Sequence, residues 1–408
     1  MKNKFQITAS LLMTILSINV SDAQTAYIGN CDDGTISVID VATNTIIDSI
    51  FLPSYPFGVT VSPDGTKVYF TNFDDSVRVI TTENNRIEST IGVGIRPQGI
   101  TVSPDGSQLY VACSSSDIVS IINTTSNIVS NNIKVGNTPI GVCITPDGTK
   151  VYVTNYGSNT VSVINTATNL VSATINVDTR PFGIAVSPDG SQVYVVNFTN
   201  NIVRVINTFS DTVSDSIKIG TIHYEGIAIS PDGSKLYVTN TYDFPYSISV
   251  VNIATNKLSA TIRVGSRPIA ISVSPDGMKV YVTNNVDNTV SAINTLTNTV
   301  SATINVGNNP AAFGNFISKY SKMTSGLISP NTESTNISIY PNPTSSEFTI
   351  CSPFNNYKVI IIDLMNHVVF NQYVTGKNSK LKLEKNGFFF VHIKTNKGTY
   401  TQKLIVNQ

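Results

Sequence analysis

Seven positions recur at near-constant spacing just before a proline, or before the residue that replaces it: Tyr55, Arg96, Thr138, Arg180, His223, Arg267 and Asn309. The residues two further on are Phe57, Gln98, Ile140, Phe182, Glu225, Ile269 and Ala311. The sequence around these two columns repeats, whereas the columns themselves vary, so they are free to specify a ligand. Arginine forks suit a carboxylate or phosphate, and aromatic rings beside them suit a sugar or another ring. The candidate ligand-binding set is therefore Tyr55, Arg96, Arg180, His223, Glu225 and Arg267. A plainer reading stays open, in which the arginines stack between repeats or bond backbone carbonyls.

Catalysis has less to draw on. His223 is the one histidine among the repeats, and His367 and His392 lie in the tail. No His or Cys spacing suggests zinc, and no Gly-rich loop opens a helix to cradle phosphate. The expectation is no catalytic residue, no metal and no cofactor. Cys31, Cys113 and Cys143 occupy non-equivalent places in different repeats, with Cys351 in the tail. They read as small buried hydrophobes rather than as a disulfide framework.

The elements that must position these columns are repeats. Ser-Pro-Asp-Gly or Thr-Pro-Asp-Gly places its aspartate at Asp64, Asp105, Asp147, Asp189, Asp232 and Asp276, at intervals of 41, 42, 42, 43 and 44. In this turn proline presets φ, aspartate bonds backbone amides and glycine accepts positive φ. A catalytic ring of these carboxylates is the weaker reading, since every repeat needs the turn. An apolar-Tyr-apolar run follows each copy, then an alternating strand such as Thr160 to Ile164, a polar turn, and a further strand from Val171 to Val177. Four short strands per unit predict a propeller blade, and no 3.6-residue rhythm supports a helical solenoid. The tyrosine strand occurs seven times, starting with Ala26-Tyr27-Ile28-Gly29-Asn30. The inner strand also occurs seven times if Ala311 to Ile317 is included. This predicts an all-β, seven-bladed β-propeller over 24–317 with circular strand closure. The variable columns and the longer Thr241 to Ser247 loop, with Tyr242, Phe244 and Tyr246, then share the channel face.

Charged residues are only 13% of the chain and formal net charge is zero, which leaves no basic patch for a nucleic-acid partner. Apolar residues at 41% argue against disorder. Lys2 and Lys4, the mostly apolar Ile7 to Val20, and Ser21-Asp22-Ala23 read as a signal peptide over 1–23, cut after Ala23. No later stretch approaches the ~20 apolar residues of a membrane-spanning helix. A linker over 318–336 leads to residues 337–408, where Phe348-Thr349-Ile350, Val359 to Asp363, Gly387 to Ile393 and Gln402 to Val406 read as strands of a small C-terminal β-sandwich.

Val-Tyr-Val-Thr-Asn, intact at 151–155 and 280–284, together with the Ser-Pro-Asp-Gly turns, resembles the YVTN-type propeller repeat over roughly residues 26–317. Cys113 departs from it where the motif has Asn, and the first copy reads Tyr-Ile-Gly-Asn. With no Trp in the chain, the signature of WD repeats is absent. The tail, opened by Tyr340-Pro341-Asn342-Pro343 and closed by a strand containing Lys403, looks like the C-terminal (Por) sorting domain of type IX secretion substrates. Asn366 stands where that family often has Gly. This resemblance implies the type IX machinery as partner, and passage across the outer membrane to the cell surface or medium. The expected function is a binding or scaffold protein whose channel face engages a small anionic ligand or a surface protein. Two alternatives stay open. Propellers similar to this one include lactone hydrolases and quinoprotein-like oxidoreductases, which would recruit His223, Glu225 and the arginines. A structural surface-layer component would instead have a flat rim without a pocket.

Overall fold

The computed structural model describes residues 24–219, 225–242, 244–318, 338–340, 344, 346–352, 354–363, 368–395 and 398–406. The expected signal peptide, His223 and nearly all of the expected linker lie outside them. The chain divides into two compact units, Met1–Met323 and Thr324–Gln408. Among the described residues no helix is long and apolar enough to cross a membrane.

Among its described residues, the first unit holds seven four-stranded antiparallel sheets. The fourth shows their common plan: an inner strand Pro139–Ile144, a tyrosine strand Lys150–Asn155, a third strand Thr160–Asn165 and an outer strand Leu170–Asn176. The Thr-Pro-Asp-Gly turn joins the first two strands. Asp147 Oδ1 accepts from Thr145 Oγ1 at 2.5 Å and from Thr149 N at 3.0 Å, while Gly148 takes φ 73°. These bonds hold the Asp147 carboxyl below the usual range, with Thr145 the largest cause. The repeated aspartate is thus committed to its turn.

The core lies between sheets. The seven equivalent tyrosines, Tyr27, Tyr69, Tyr110, Tyr152, Tyr194, Tyr237 and Tyr281, rank among the largest fully buried side chains. Each joins aliphatics of a neighbouring sheet, as Tyr110 does with Val151 and Val153. A polar latch recurs at the opposite end of the strand from the variable columns. Tyr152 donates to Asp211 Oδ1 at 2.6 Å and Lys150 Nζ to Asp211 Oδ2 at 2.8 Å, tying the fourth sheet to the fifth. Tyr281 donates to Asn44 Oδ1 at 2.6 Å, tying the seventh to the first in the same way.

The inner strands carry a second inter-sheet bond. Thr154 Oγ1 donates to the Phe182 carbonyl of the next sheet at 2.8 Å and accepts from Gly141 N at 2.8 Å. Thr71 does the same with the Gln98 carbonyl and Gly58 N, at 2.7 and 2.8 Å. The threonine of the tyrosine strand is therefore a rivet around the channel.

The first sheet takes Thr25–Asn30, Thr35–Asp40 and Thr45–Phe51 from the start of the array, and Pro310–Ala311 from its end. The expected inner strand from Ala311 to Ile317 is interrupted. Gly29 pairs with Ala311 and Ala26 with Ile317, but Phe313 between them turns to the second sheet, donating to Phe57 O and accepting from Val59 N.

The second unit holds a three-stranded sheet (Ser338–Tyr340, Glu347–Cys351, Asn378–Lys382) and a four-stranded one ordered Val368–Thr375, Asn356–Asp363, Gly387–Thr395, Gly398–Val406. Phe348 and Ile350 from the first pack with Val359, Ile361, Val391 and Leu404 from the second in one core.

Candidate functional site

The first variable column is held in an uncommon backbone state. Arg96, Thr138, Arg180, Arg267 and Asn309 all take φ between 53° and 56°, a left-handed region that non-glycine residues seldom occupy. An Asx side chain one loop earlier pins four of them. Arg96 N donates to Asp75 Oδ1 at 2.8 Å, Thr138 N to Asp117 Oδ1 at 2.8 Å, Arg180 N to Asn159 Oδ1 at 2.9 Å and Asn309 N to Asn288 Oδ1 at 2.9 Å. Strain of this kind, over-determined by its surroundings, accumulates at functional sites.

Each arginine lies over an aromatic ring from the preceding sheet. The guanidinium carbons of Arg96, Arg180 and Arg267 are 5.8, 5.6 and 5.3 Å from the ring centres of Phe73, Tyr156 and Tyr242, within the range of cation–π attraction. The three arginines thus stand in separate inter-sheet junctions, as the plainer sequence reading has it. Phe73 and Tyr156 directly follow the Asn of their tyrosine strands, and Tyr242 belongs to the longer loop.

The rings connect into a chain across the channel. Phe73 stacks on Phe57 at 5.6 Å, Phe57 on Phe313 at 4.8 Å, and Phe313 meets Phe182 at 5.4 Å. Phe182 continues to Phe198, and Phe198 to Tyr242 at 5.8 Å. A cavity of about 60 Å3 that includes Phe57, Phe182 and Phe313 in its lining lies among the inner strands, and a further one of about 420 Å3 is lined by later residues of the same strands.

Beside the bridge opens a cavity of about 430 Å3, lined by Tyr55, Phe57, Phe73, Asp32, Glu225, Arg267, Asn285, Asn309 and Phe313 among others. Of the sequence candidates, Tyr55, Glu225 and Arg267 meet here, whereas Arg96 and Arg180 do not line it. Its polar side is one hydrogen-bonded row. Asn309 Nδ2 donates to Asp32 Oδ1 at 3.0 Å, and Asn285 Nδ2 to Asn309 Oδ1. Arg267 Nη1 donates to Asn285 Oδ1 at 3.3 Å and Nη2 to the Tyr242 hydroxyl at 3.0 Å. Tyr242 in turn bonds Glu225. Glu225 is 7% exposed, and burial pushes its carboxyl up to about 7, against the lowering pull of Arg267 and Tyr242. Among the described residues, the buried Nε of Arg267 has no hydrogen-bond partner.

Asp32, Phe73, Asn285 and Phe313 escape the sequence reading, which follows only the residues around proline. A second variable column sits directly after the tyrosine strands: Cys31, Phe73, Ser114, Tyr156, Phe198, Thr241 and Asn285. Among the described residues, no cluster of three His, Cys, Asp or Glu side chains could hold a metal ion.

Residues 338–407 match the family model of the secretion system C-terminal sorting domain, and residues 101–215 that of the YNCE-like beta-propeller. No curated protein matches the chain in sequence. Among solved structures it is similar to hydrazine synthase of Kuenenia stuttgartiensis, with 23% identity and a TM-score of 0.60 over 63% of this chain and 88% of that one. It is also similar to a functionally unknown protein from Desulfotomaculum acetoxidans, with 17% identity and a TM-score of 0.62 over 72% and 100%. At these identities the likeness shows the fold alone. The chain therefore carries a β-propeller segment of the YNCE-like family at 101–215, followed by a secretion-system C-terminal sorting domain at 338–407.

Proposed function

We propose that the protein is an exported binding protein, a closed seven-bladed propeller that holds a small ligand at the mouth of its channel. The observation that carries this reading is the cavity of about 430 Å3 between an aromatic wall and a hydrogen-bonded polar row. Its size falls within the ~300–1,000 Å3 of ligand pockets, which a flat structural rim would lack. Closure is supported by the pairing of Gly29 with Ala311 and by the latch from Tyr281 to Asn44. Thermal-shift screening of metabolites and glycans tests the binding role, alongside a Tyr55→Ala/Arg267→Ala variant of two residues that line the cavity. Compounds that raise the Tm of the parent but not of the variant support it. Equal shifts in both, or none in either, count against it.

The tail delivers this mouth to the outside through type IX secretion. Removing residues 337–408 leaves a folded propeller retained in the periplasm, with surface and medium levels falling at least tenfold by immunoblot. Undiminished recovery outside the cell would defeat the assignment.

A further inference from the structure

We propose that the cavity at the mouth binds a neutral sugar, a single pyranose ring or the end of a glycan. This rests on the binding reading above and names its ligand class.

The electrostatics disfavour a simple anion. Among the described residues, Arg267 is the one cation in the lining, and the carboxyls of Asp32 and Glu225 line the same cavity. Its guanidinium is already bonded to Asn285 and Tyr242. A cation fares no better, because Arg267 stands among the acceptors. A neutral polar ligand carries neither penalty.

The groups in the row match hydroxyls. Carboxylate and amide oxygens accept, while amide and guanidinium nitrogens donate, and a sugar hydroxyl does both. Asp32, Asn309, Asn285 and Arg267 hold one another in series, so their side chains are ordered before a ligand arrives. Such preorganisation lowers the entropic cost of binding.

The facing wall supplies the apolar contact. Tyr55 is 53% and Phe73 39% exposed, a large ring area left open to solvent beside a polar row. Their backbones are joined, with Phe73 N donating to Tyr55 O at 3.1 Å. Phe57 stacks behind Phe73. A pyranose presents C–H groups on one face and hydroxyls around its edge, and this cleft offers a ring surface to the first and the polar row to the second.

The test titrates the full chain with glucose, galactose, mannose and N-acetylglucosamine, and with benzoate and inorganic phosphate as anionic probes, by ligand-observed NMR. Expected is saturable binding of at least one sugar, weakened tenfold or more in Tyr55→Ala and in Asn309→Ala. Tyr55→Phe keeps the ring and retains binding, and Arg180→Ala, in another junction, leaves it unchanged. Matching melting curves show that the variants are folded. If benzoate or phosphate binds with Arg267 dependence and no sugar does, the sugar class is overturned while a binding mouth survives. If nothing binds, or binding ignores every substitution at the mouth, both readings fall.

Discussion

Gly141→Ala destabilises the propeller by about 3 kcal/mol, at the upper end of the usual cost of overpacking, and lowers its Tm by about 6 °C. A Cβ at this position would lie 2.4 Å from the Phe182 carbonyl oxygen of the next sheet. That oxygen cannot step aside cheaply, since it accepts from Thr154, whose hydroxyl also takes the Gly141 N–H. Gly58, Gly99, Gly183 and Gly226 stand in the same relation to the carbonyls of Gln98, Ile140, Glu225 and Ile269, at 2.1 to 2.7 Å. Ala270 occupies the equivalent place in the seventh sheet, where Thr283 Oγ1 still accepts its N–H at 3.1 Å. Ala270→Gly therefore costs about 1–2 kcal/mol, through backbone entropy and the loss of one buried methyl. Thermal and urea unfolding of the two variants checks the contrast, and a Gly141→Ala protein that melts with the parent would show that the inner ring is looser than its geometry.

Glu225→Gln is the second large effect, and its sign depends on pH. Below about pH 4.5 the carboxyl is protonated in the folded and the unfolded chain, so the parent holds its full stability there. As the pH rises, the unfolded chain gives up the proton while the folded chain keeps it to about 7. Stability is therefore lost between these values, by roughly 3 kcal/mol in all. Glutamine fills the same volume, can still accept from Tyr242 and has no proton to lose. The variant should thus melt several degrees above the parent at pH 8 and within about a degree of it at pH 4. The turn aspartates do not obscure this. Asp105, Asp147, Asp189 and Asp232 are held below their ordinary value, so their contribution is lost only as the pH falls through the acid range beneath that window. Equal gains at both pH values would mean that Glu225 is not the titrating group.

Much of the scaffold is legible in the sequence because each blade repeats it: a turn needs Pro-Asp-Gly, and a strand buried between sheets needs the alternation around Tyr152. What repetition explains, however, is not what the site is made of. The mouth is built from columns that differ, and only the column before proline announces itself. The partners Phe73, Tyr156 and Tyr242 belong to the preceding sheet, so the pairing of each arginine with an aromatic ring becomes visible only when two columns are read one blade out of step. Glu225 is nameable from its column, but its burial and its Tyr242 bond depend on a loop that breaks the repeat. Phe313 is the least legible residue, since the pattern places it in a regular inner strand and the chain there turns aside to the second sheet.

The pairing of Gly29 with Ala311 also sets an order of events in time. Synthesis and export run from the N-terminus, and contacts this distant in sequence form late. The first sheet must wait with three strands until the end of the array emerges, and the sorting domain follows at 338–407. The residues that complete the first sheet and the residues of the sorting domain thus become available almost together. A chain cut short within the array would have neither, so a prematurely ended product would lack both the completed first sheet and the sorting domain.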